Sequence, residues 1–303
     1  MDANPWIKKL DAYERLMRLD KPIGILLLLW PTMWALWLAG LGQPNLIIVW
    51  IFVLGTVLMR SAGCIMNDVA DRNFDGWVER TRQRPLATGE VTVKEALLLA
   101  AALTIGAFCL VLFLNRLTIC LSFAALFLAA SYPLTKRFLA IPQAYLGIAF
   151  GFGIPMAFAA VRGTIPLVAW LLLLANIFWA IAYDTEYAMV DREDDLKLGI
   201  RSSAILFGRY DIVAIMACYL ATLSLLLLVG SMMDLKWPYY MGLLGAAGIA
   251  AYHYVLIRKR EHAGCFRAFL HNNWLGASIF LGVVASYALL YFGHSWQIKP
   301  HIV

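Results

Sequence analysis

A chain of 303 residues that is 62% hydrophobic and only 15% charged has too many long apolar runs for one water-soluble core, which excludes an ordinary soluble enzyme. The net charge of +6 needs no nucleic acid, because basic residues collect on one side of membrane proteins and face anionic lipid there. Cys64, Cys109, Cys120, Cys218 and Cys265 show no paired spacing that would point to a disulfide or zinc site.

Residues 1–22 are charged and polar, without the short apolar core and small-residue cleavage site of a secretory signal. Asn4 and Pro5 fit an N-cap and first helical position. Trp6, Leu10, Tyr13 and Met17 then recur at helical spacing opposite Lys8, Lys9 and Arg15. A helix lying on the membrane interface is expected. Nine apolar spans follow, near 24–41, 45–66, 95–114, 117–134, 139–161, 166–184, 212–233, 237–257 and 273–293, each close to the ~20 residues that cross ~30 Å of hydrocarbon. The expected fold is an all-α polytopic membrane protein of one domain, with 1–22 on the interface and 23–303 forming a nine-helix transmembrane bundle.

Nine spans also sort the loops by charge. One side receives the N-terminal segment and the segments around 60–94, 135–138, 185–211 and 258–272, with 21 of the 25 Lys and Arg. The other side keeps Arg116, Arg162, Lys236 and Lys299. This bias places the N-terminus in the cytoplasm and the C-terminal tail outside. All the acids except Asp234 share the basic side, and orientation alone does not require that.

Two acidic segments account for much of the excess. The second span ends in Asn67, Asp68, Asp71 and Asp75, and the i, i+4, i+8 spacing of Asn67, Asp71 and Asp75 sets them along one strip of a helix. The sixth span ends in Asp191 and Asp195. Laying that pair on Asp71 and Asp75 also matches Arg192 to Arg72, with Lys197 and Arg201 downstream as Arg80, Arg82 and Arg84 are in the first copy. This is a weak internal repeat four spans apart, so both copies emerge on the same side. Carboxylates facing one cavity repel by ~4 kcal/mol per close pair at an effective dielectric of 20. A hard divalent cation such as Mg²⁺ relieves that repulsion and bridges to substrate phosphates, which the neighbouring basic side chains then clamp. A cation-coupled transporter would also use intramembrane acids, but it gives no reason for a repeated DxxxD beside phosphate-clamping bases.

Ionisable groups inside spans are costly and usually face a cavity or a partner. Arg60 lies seven residues before Asn67 on nearly the same helical face, and Asp184 lies in the sixth span. Tyr183 and Tyr187, one turn apart and just deeper than Asp191, are the aromatic residues best placed to line a site. His253 reads as a packed or interfacial histidine.

These residues resemble the hallmarks of the UbiA superfamily of intramembrane prenyltransferases, whose members carry an NDxxDxxxD and a second DxxxD segment, here N67-D-V-A-D71-R-N-F-D75 and D191-R-E-D-D195. Segments 17–39, 59–75, 80–92, 131–138 and 183–208 are similar to the 4-hydroxybenzoate branch in particular. The resemblance implies a helical bundle around a central cavity with a lateral opening for a lipid tail. It implies Mg²⁺-dependent transfer of a polyprenyl group from polyprenyl diphosphate to 4-hydroxybenzoate, an early ubiquinone-pathway step, by a multi-pass protein of a bacterial inner membrane with its site towards the cytoplasm. Naphthoate, homogentisate and haem are the alternative acceptors within the superfamily. On this basis Asp71, Asp75, Asp191 and Asp195 hold metal, and Asn67 and Asp68 bind or orient it. Arg72, Lys136, Arg137, Lys197 and Arg201 are candidates for the diphosphate, while Arg60, Tyr183, Asp184, Tyr187 and Arg18 are candidates for the aromatic acid.

Overall fold

The computed structural model describes residues 5–72, 81–135, 138–199 and 201–295, and the regular elements among them are helical. A short surface helix, α1 (Pro5–Met17), precedes α2 (Ile23–Ala39), α3 (Leu46–Asp71), α4 (Val93–Val111) and α5 (Arg116–Thr135). The second half contains α6 (Pro142–Gly151), α7 (Gly153–Arg162), α8 (Leu167–Leu198), the short α9 (Ser203–Phe207), α10 (Asp211–Met232), α11 (Trp237–Ile257) and α12 (His262–Ser295).

Eight helical stretches are long and apolar enough to cross a membrane, with α6 and α7 counted together as one. The expected first span is α2, which has 17 residues and so rises about 25 Å. It is shorter than the other eight yet lies deep in the bundle, where Trp34 and Leu36 are fully buried. The fifth expected span is broken between Gly151 and Gly153. Pro155 explains the break, since it has no N–H to bond the Gly151 carbonyl one turn back.

Two helices are far longer than a crossing needs. With 32 and 34 residues, α8 and α12 reach about 48 and 51 Å, against ~30 Å of hydrocarbon. The acidic residues of α8 fall in its second half, Asp184 to Asp195, and those from Asp191 on lie past the ~20 residues of one crossing. The core between these helices is aromatic: Trp34 and Trp179 meet at 5.3 Å between ring centroids. Their indole N–H groups donate to the Gly276 carbonyl (3.0 Å) and Asn272 Oδ1 (2.8 Å).

A buried polar cluster ties four of the long helices together. On α8, Glu186 accepts from Tyr219 of α10 (2.9 Å) and from Asn272 Nδ2 of α12 (2.8 Å). The Tyr219 hydroxyl lies 2.9 Å from Nδ1 of His253 on α11, whose Nε2 is 3.1 Å from His271 Nδ1. His253 is therefore a packed histidine, as expected, fully buried and hydrogen-bonded.

The surface helix α1 has two apolar faces. Ala12 and Leu16 pack on Ile65 and Val69 of α3 and on Val91, Ala96 and Ala100, while Trp6, Ile7 and Leu10 stay exposed. Lys9 pairs with Glu95 at 2.8 Å, and Arg15 pairs with Glu90. The Arg15 guanidinium holds the Glu90 carboxyl below its ordinary range. The helix thus docks on the bundle through one face and leaves most of the tryptophan-bearing stripe uncovered.

Candidate active site

The last turns of α3 and the matching stretch of α8 line one cavity of about 1980 Å³. From α3 come Arg60, Asn67, Asp68 and Asp71, and from α8 come Tyr183, Asp184, Tyr187, Asp191, Asp194 and Asp195. The α8 residues recur every three to four positions, so one stripe of that helix forms an acidic and aromatic wall. The two acidic segments do meet across one space, as the parallel ends of two spans four apart in the chain allow.

Several polar atoms in this space have unused hydrogen-bonding capacity. Asn67 Nδ2 donates to Asp71 (3.1 Å), while its buried Oδ1 has no hydrogen-bond partner. The buried Tyr183 hydroxyl and Arg60 Nε are in the same position. Buried polar groups are nearly always satisfied, and these three atoms leave an amide oxygen, a hydroxyl and a guanidinium N–H open towards one cavity. Among the described residues no three His, Cys, Asp or Glu side chains form a group able to hold a metal ion. An acid from each wall, the Asn67 oxygen, water and substrate phosphate still make a hard oxygen donor set, which suits Mg²⁺ because it keeps several waters and rarely takes an all-protein cage. The residues present fit that ion.

Arg60 is set by its surroundings. Its Nη1 donates to Cys64 Sγ at 2.7 Å, and the guanidinium lies 5.5 Å from the Phe150 ring centroid. Gly24 opposite makes room, since a Cβ there would fall 2.7 Å from Arg60 Nη2. Aromatic rings gather on the α8 side: Tyr187 is 4.7 Å from Phe269, and Tyr183 meets Trp179 edge-on at 5.5 Å.

Asp68 lines the cavity with partners that the sequence did not show. It is 1% exposed, with both oxygens 2.9 Å from Arg18 Nη2 and one 3.0 Å from Arg84. Two guanidinium groups neutralise it, which makes it a strut between α3, the end of α1 and the 81–92 segment. Arg18 is engaged by the same contact. Arg72 caps α3 by donating to the Val69 carbonyl (2.8 Å) and does not line the cavity. Lys197 is also outside the lining, largely exposed and 3.3 Å from Asp194. Arg201 does line the cavity and donates to the Phe138 carbonyl at 2.9 Å. Asp75, Arg80, Lys136 and Arg137 lie outside the described residues.

Sequence reasoning missed Tyr132 and Gln143, both in the cavity wall. The glutamine carried a signal: a polar side chain at the start of an apolar span, here 4% exposed with its Oε1 accepting from the Ser203 N–H (3.1 Å). Tyr132 carried a fainter one, lying one helical turn before the basic pair at 136 and 137 among 13 tyrosines. Further from the acids the lining turns apolar. Ile105, Phe123 and Leu126 line the cavity and are also 62%, 58% and 40% exposed, so the space opens sideways between α4 and α5.

Residues 28–279 match the UbiA prenyltransferase family, a stretch that includes both acidic segments. The chain belongs to that family. Among curated UbiA relatives, the 4-hydroxybenzoate octaprenyltransferase of Methylobacillus flagellatus is 70% identical over 284 residues, covering 93% of this chain and 96% of the relative. The protein of the same name from an Azoarcus species is 66% identical, with 93% and 98% covered. Solved UbiA structures share the fold. The apo UbiA homologue of Aeropyrum pernix superposes with a TM-score of 0.76 at 24% identity, over 85% of this chain and 97% of that one. A UbiA homologue of Archaeoglobus fulgidus bound to GPP and Mg²⁺ gives 0.67 at 19% identity, over 90% and 99%.

Proposed function

We propose that this UbiA family member transfers a polyprenyl group from polyprenyl diphosphate to the ring carbon ortho to the hydroxyl of 4-hydroxybenzoate, with release of diphosphate. The observation that carries this reading is the 60–70% identity over more than nine-tenths of the chain to proteins named 4-hydroxybenzoate octaprenyltransferase. The cavity's two acidic walls supply the chemistry to go with it.

Alkylation of a phenol ring by an allylic diphosphate needs the C–O bond to loosen, leaving negative charge on the diphosphate and positive charge on the allyl carbon. Asp71 and Asp75 from one segment, and Asp191 and Asp195 from the other, are the residues that would hold Mg²⁺, with Asn67 orienting Asp71. When bound, the ion supplies Lewis-acid stabilisation of the departing diphosphate oxygens. Arg201 contributes positive charge at the same end. Deeper in, Tyr183, Tyr187 and Phe269 offer the allyl cation electron-rich faces and keep water from it. Arg60 takes the carboxylate of the aromatic acid, which orients the ring. The new C–C bond forms from the ring carbon as the C–O bond to diphosphate breaks, and that carbon then gives up its proton to the released diphosphate.

The same reading gives the topology. The nine crossings include α2, the N-terminus lies in the cytoplasm, and α1 rests on the inner-membrane surface with Trp6, Ile7 and Leu10 in the lipid interface. The test is product mass spectrometry after incubating purified protein with Mg²⁺, a polyprenyl diphosphate and a panel of 4-hydroxybenzoate, naphthoate and homogentisate acceptors. The expected product is C-prenylated 4-hydroxybenzoate. Asp71→Asn or Asp191→Asn is expected to lower turnover at least about a hundredfold, equivalent to ~2.7 kcal/mol. Full turnover in excess chelator, or prenylation of another acceptor only, contradicts the reading.

A further inference from the structure

Asp211 opens α10 with no exposed surface, yet it takes no part in the cavity wall. Two arginines close on it. Arg192, which lies between Asp191 and Asp195 in sequence, pairs with its Oδ2, and Arg260, after α11, reaches it with Nη2 at 2.7 Å and Nε at 3.1 Å. The same Arg192 Nη2 also donates to the Ala204 carbonyl at 2.7 Å and approaches that of Gly208 at 3.4 Å, while Arg260 Nη2 donates to the Arg209 carbonyl at 2.9 Å. Asp211 is therefore the hub through which the acidic end of α8, the connector from 201 to 210 and the α11–α12 turn are held in one geometry.

That connector reaches the site. Arg201 and Ser202 line the cavity with Asp191 and Asp195, and the buried Ser202 hydroxyl has no hydrogen-bond partner. The next residue, Ser203, is pinned to α8 by a 2.7 Å hydroxyl contact with Thr185 and to α6 through Gln143. Asp68 has the same construction on the opposite wall, a buried carboxylate held between Arg18 and Arg84. The arginine that follows the first acid of the repeat has thus been put to different uses: Arg72 caps its own helix, whereas Arg192 ties its helix to the connector.

We infer that Asp211 is a positioning residue for the diphosphate end of the site. Through Arg192 it sets the carboxylates of Asp191 and Asp195, and through the connector it sets Arg201 and Ser202. The inference rests on the prenyl-transfer reading above. It separates two substrates, because the candidates for the aromatic acid, Arg60 and Tyr183, sit deeper on α3 and α8 and do not touch the hub. A residue serving only to hold the fold together would affect both substrates alike.

The test compares Asp211→Asn and Asp211→Glu with Leu243→Ala, a stability control whose side chain is buried in α11 away from the cavity. Two quantities are read in lipid nanodiscs: the KM for each substrate, and the rise in melting temperature on adding Mg²⁺ with the unreactive geranyl S-thiolodiphosphate. In Asp211→Asn the KM for the prenyl diphosphate is expected to rise at least tenfold and the ligand-induced melting shift to fall by more than half, with the KM for 4-hydroxybenzoate changed less than twofold. Asp211→Glu is expected to recover most of both. Leu243→Ala is expected to melt earlier with both KM values and the ligand shift intact. Equal changes in both KM values for Asp211→Asn, or a ligand shift equal to that of the parent protein, overturn the inference. If Asp211→Asn does not fold, Arg260→Gln is read instead, with a threefold rise in the diphosphate KM in support and none against. A parent protein with no ligand-induced shift at all sinks the prenyl-transfer reading and leaves the hub as architecture alone.

Discussion

At the scale of single residues, Arg60 is the most informative cation in the chain. Placing a guanidinium within a span costs ~2.5 to 3.5 kcal/mol at mid-membrane on insertion scales, and here the surroundings recover only part of it. A thiol and a phenyl face are weak partners, and Nε is buried without a hydrogen bond. Gly24 keeps clear the space the side chain occupies. On the function proposed above, the carboxylate of the aromatic acid is the anion that completes the set. Arg60→Gln is therefore expected to raise the KM for 4-hydroxybenzoate at least tenfold while leaving that for the prenyl diphosphate within twofold, and to weaken discrimination against phenols without a carboxylate. If Asp184 is the partner that matters instead, the same change lowers the melting temperature and Asp184→Asn partly restores it, with acceptor kinetics unaltered. Steady-state rates and a melting curve on the same preparation separate the two.

The element that organises the molecule is α8, since its cavity-facing stripe and its buried Glu186 lie on one rigid rod. The polar cluster around Glu186 fixes how that rod is turned. Removing the Tyr219 hydroxyl leaves Glu186, His253 and Asn272 each short of a partner, and an unsatisfied buried polar group costs ~1 to 3 kcal/mol. Tyr219→Phe is expected to lower the unfolding free energy by about that much in mild denaturant, whereas Leu220→Ala on the exposed face of α10 should cost less than ~0.5 kcal/mol. Equal stability of the two variants would leave the cluster with no structural role. Apolar run length made the spans legible in the sequence, and helical spacing made the α8 stripe legible, because both follow from the chain's own periodicity. Hydropathy could not show the break at Phe152, which needs Pro155 to be read as a missing donor. Nor could it show which acids keep their charge for a ligand. Asp68 and Asp71 look alike in the motif and both line the cavity, and only the arrival of Arg18 and Arg84 from distant segments ties Asp68 down as a strut. The Glu186 cluster was equally hidden, since its members come from four helices and share no spacing.

For the whole molecule, the shape of the cavity makes a statement about substrates. One end is acidic and narrow in its chemistry, with arginines and tyrosines that fit a short aromatic acid and a diphosphate. The other end runs between α4 and α5 past side chains that are themselves exposed, so a long tail has a way out and needs no cavity to match its length. Burying a methylene from water is worth up to ~0.8 kcal/mol, but a tail leaving lipid for an apolar groove gains little, since the two surroundings are equally apolar. Donor length should then matter weakly once the first isoprene units are seated, while acceptor identity matters strongly. Turnover in nanodiscs with prenyl diphosphates from C10 to C40 is expected to vary less than about tenfold, equivalent to under ~1.4 kcal/mol, and the same preparations should discriminate at least a hundredfold against phenols lacking the carboxylate. A sharp optimum at one donor length would mean that the lateral opening is closed during turnover and that the chain measures its lipid substrate. Bulky substitutions at Ile105 and Phe123 should then shift that optimum, whereas with an open exit they leave the length profile flat.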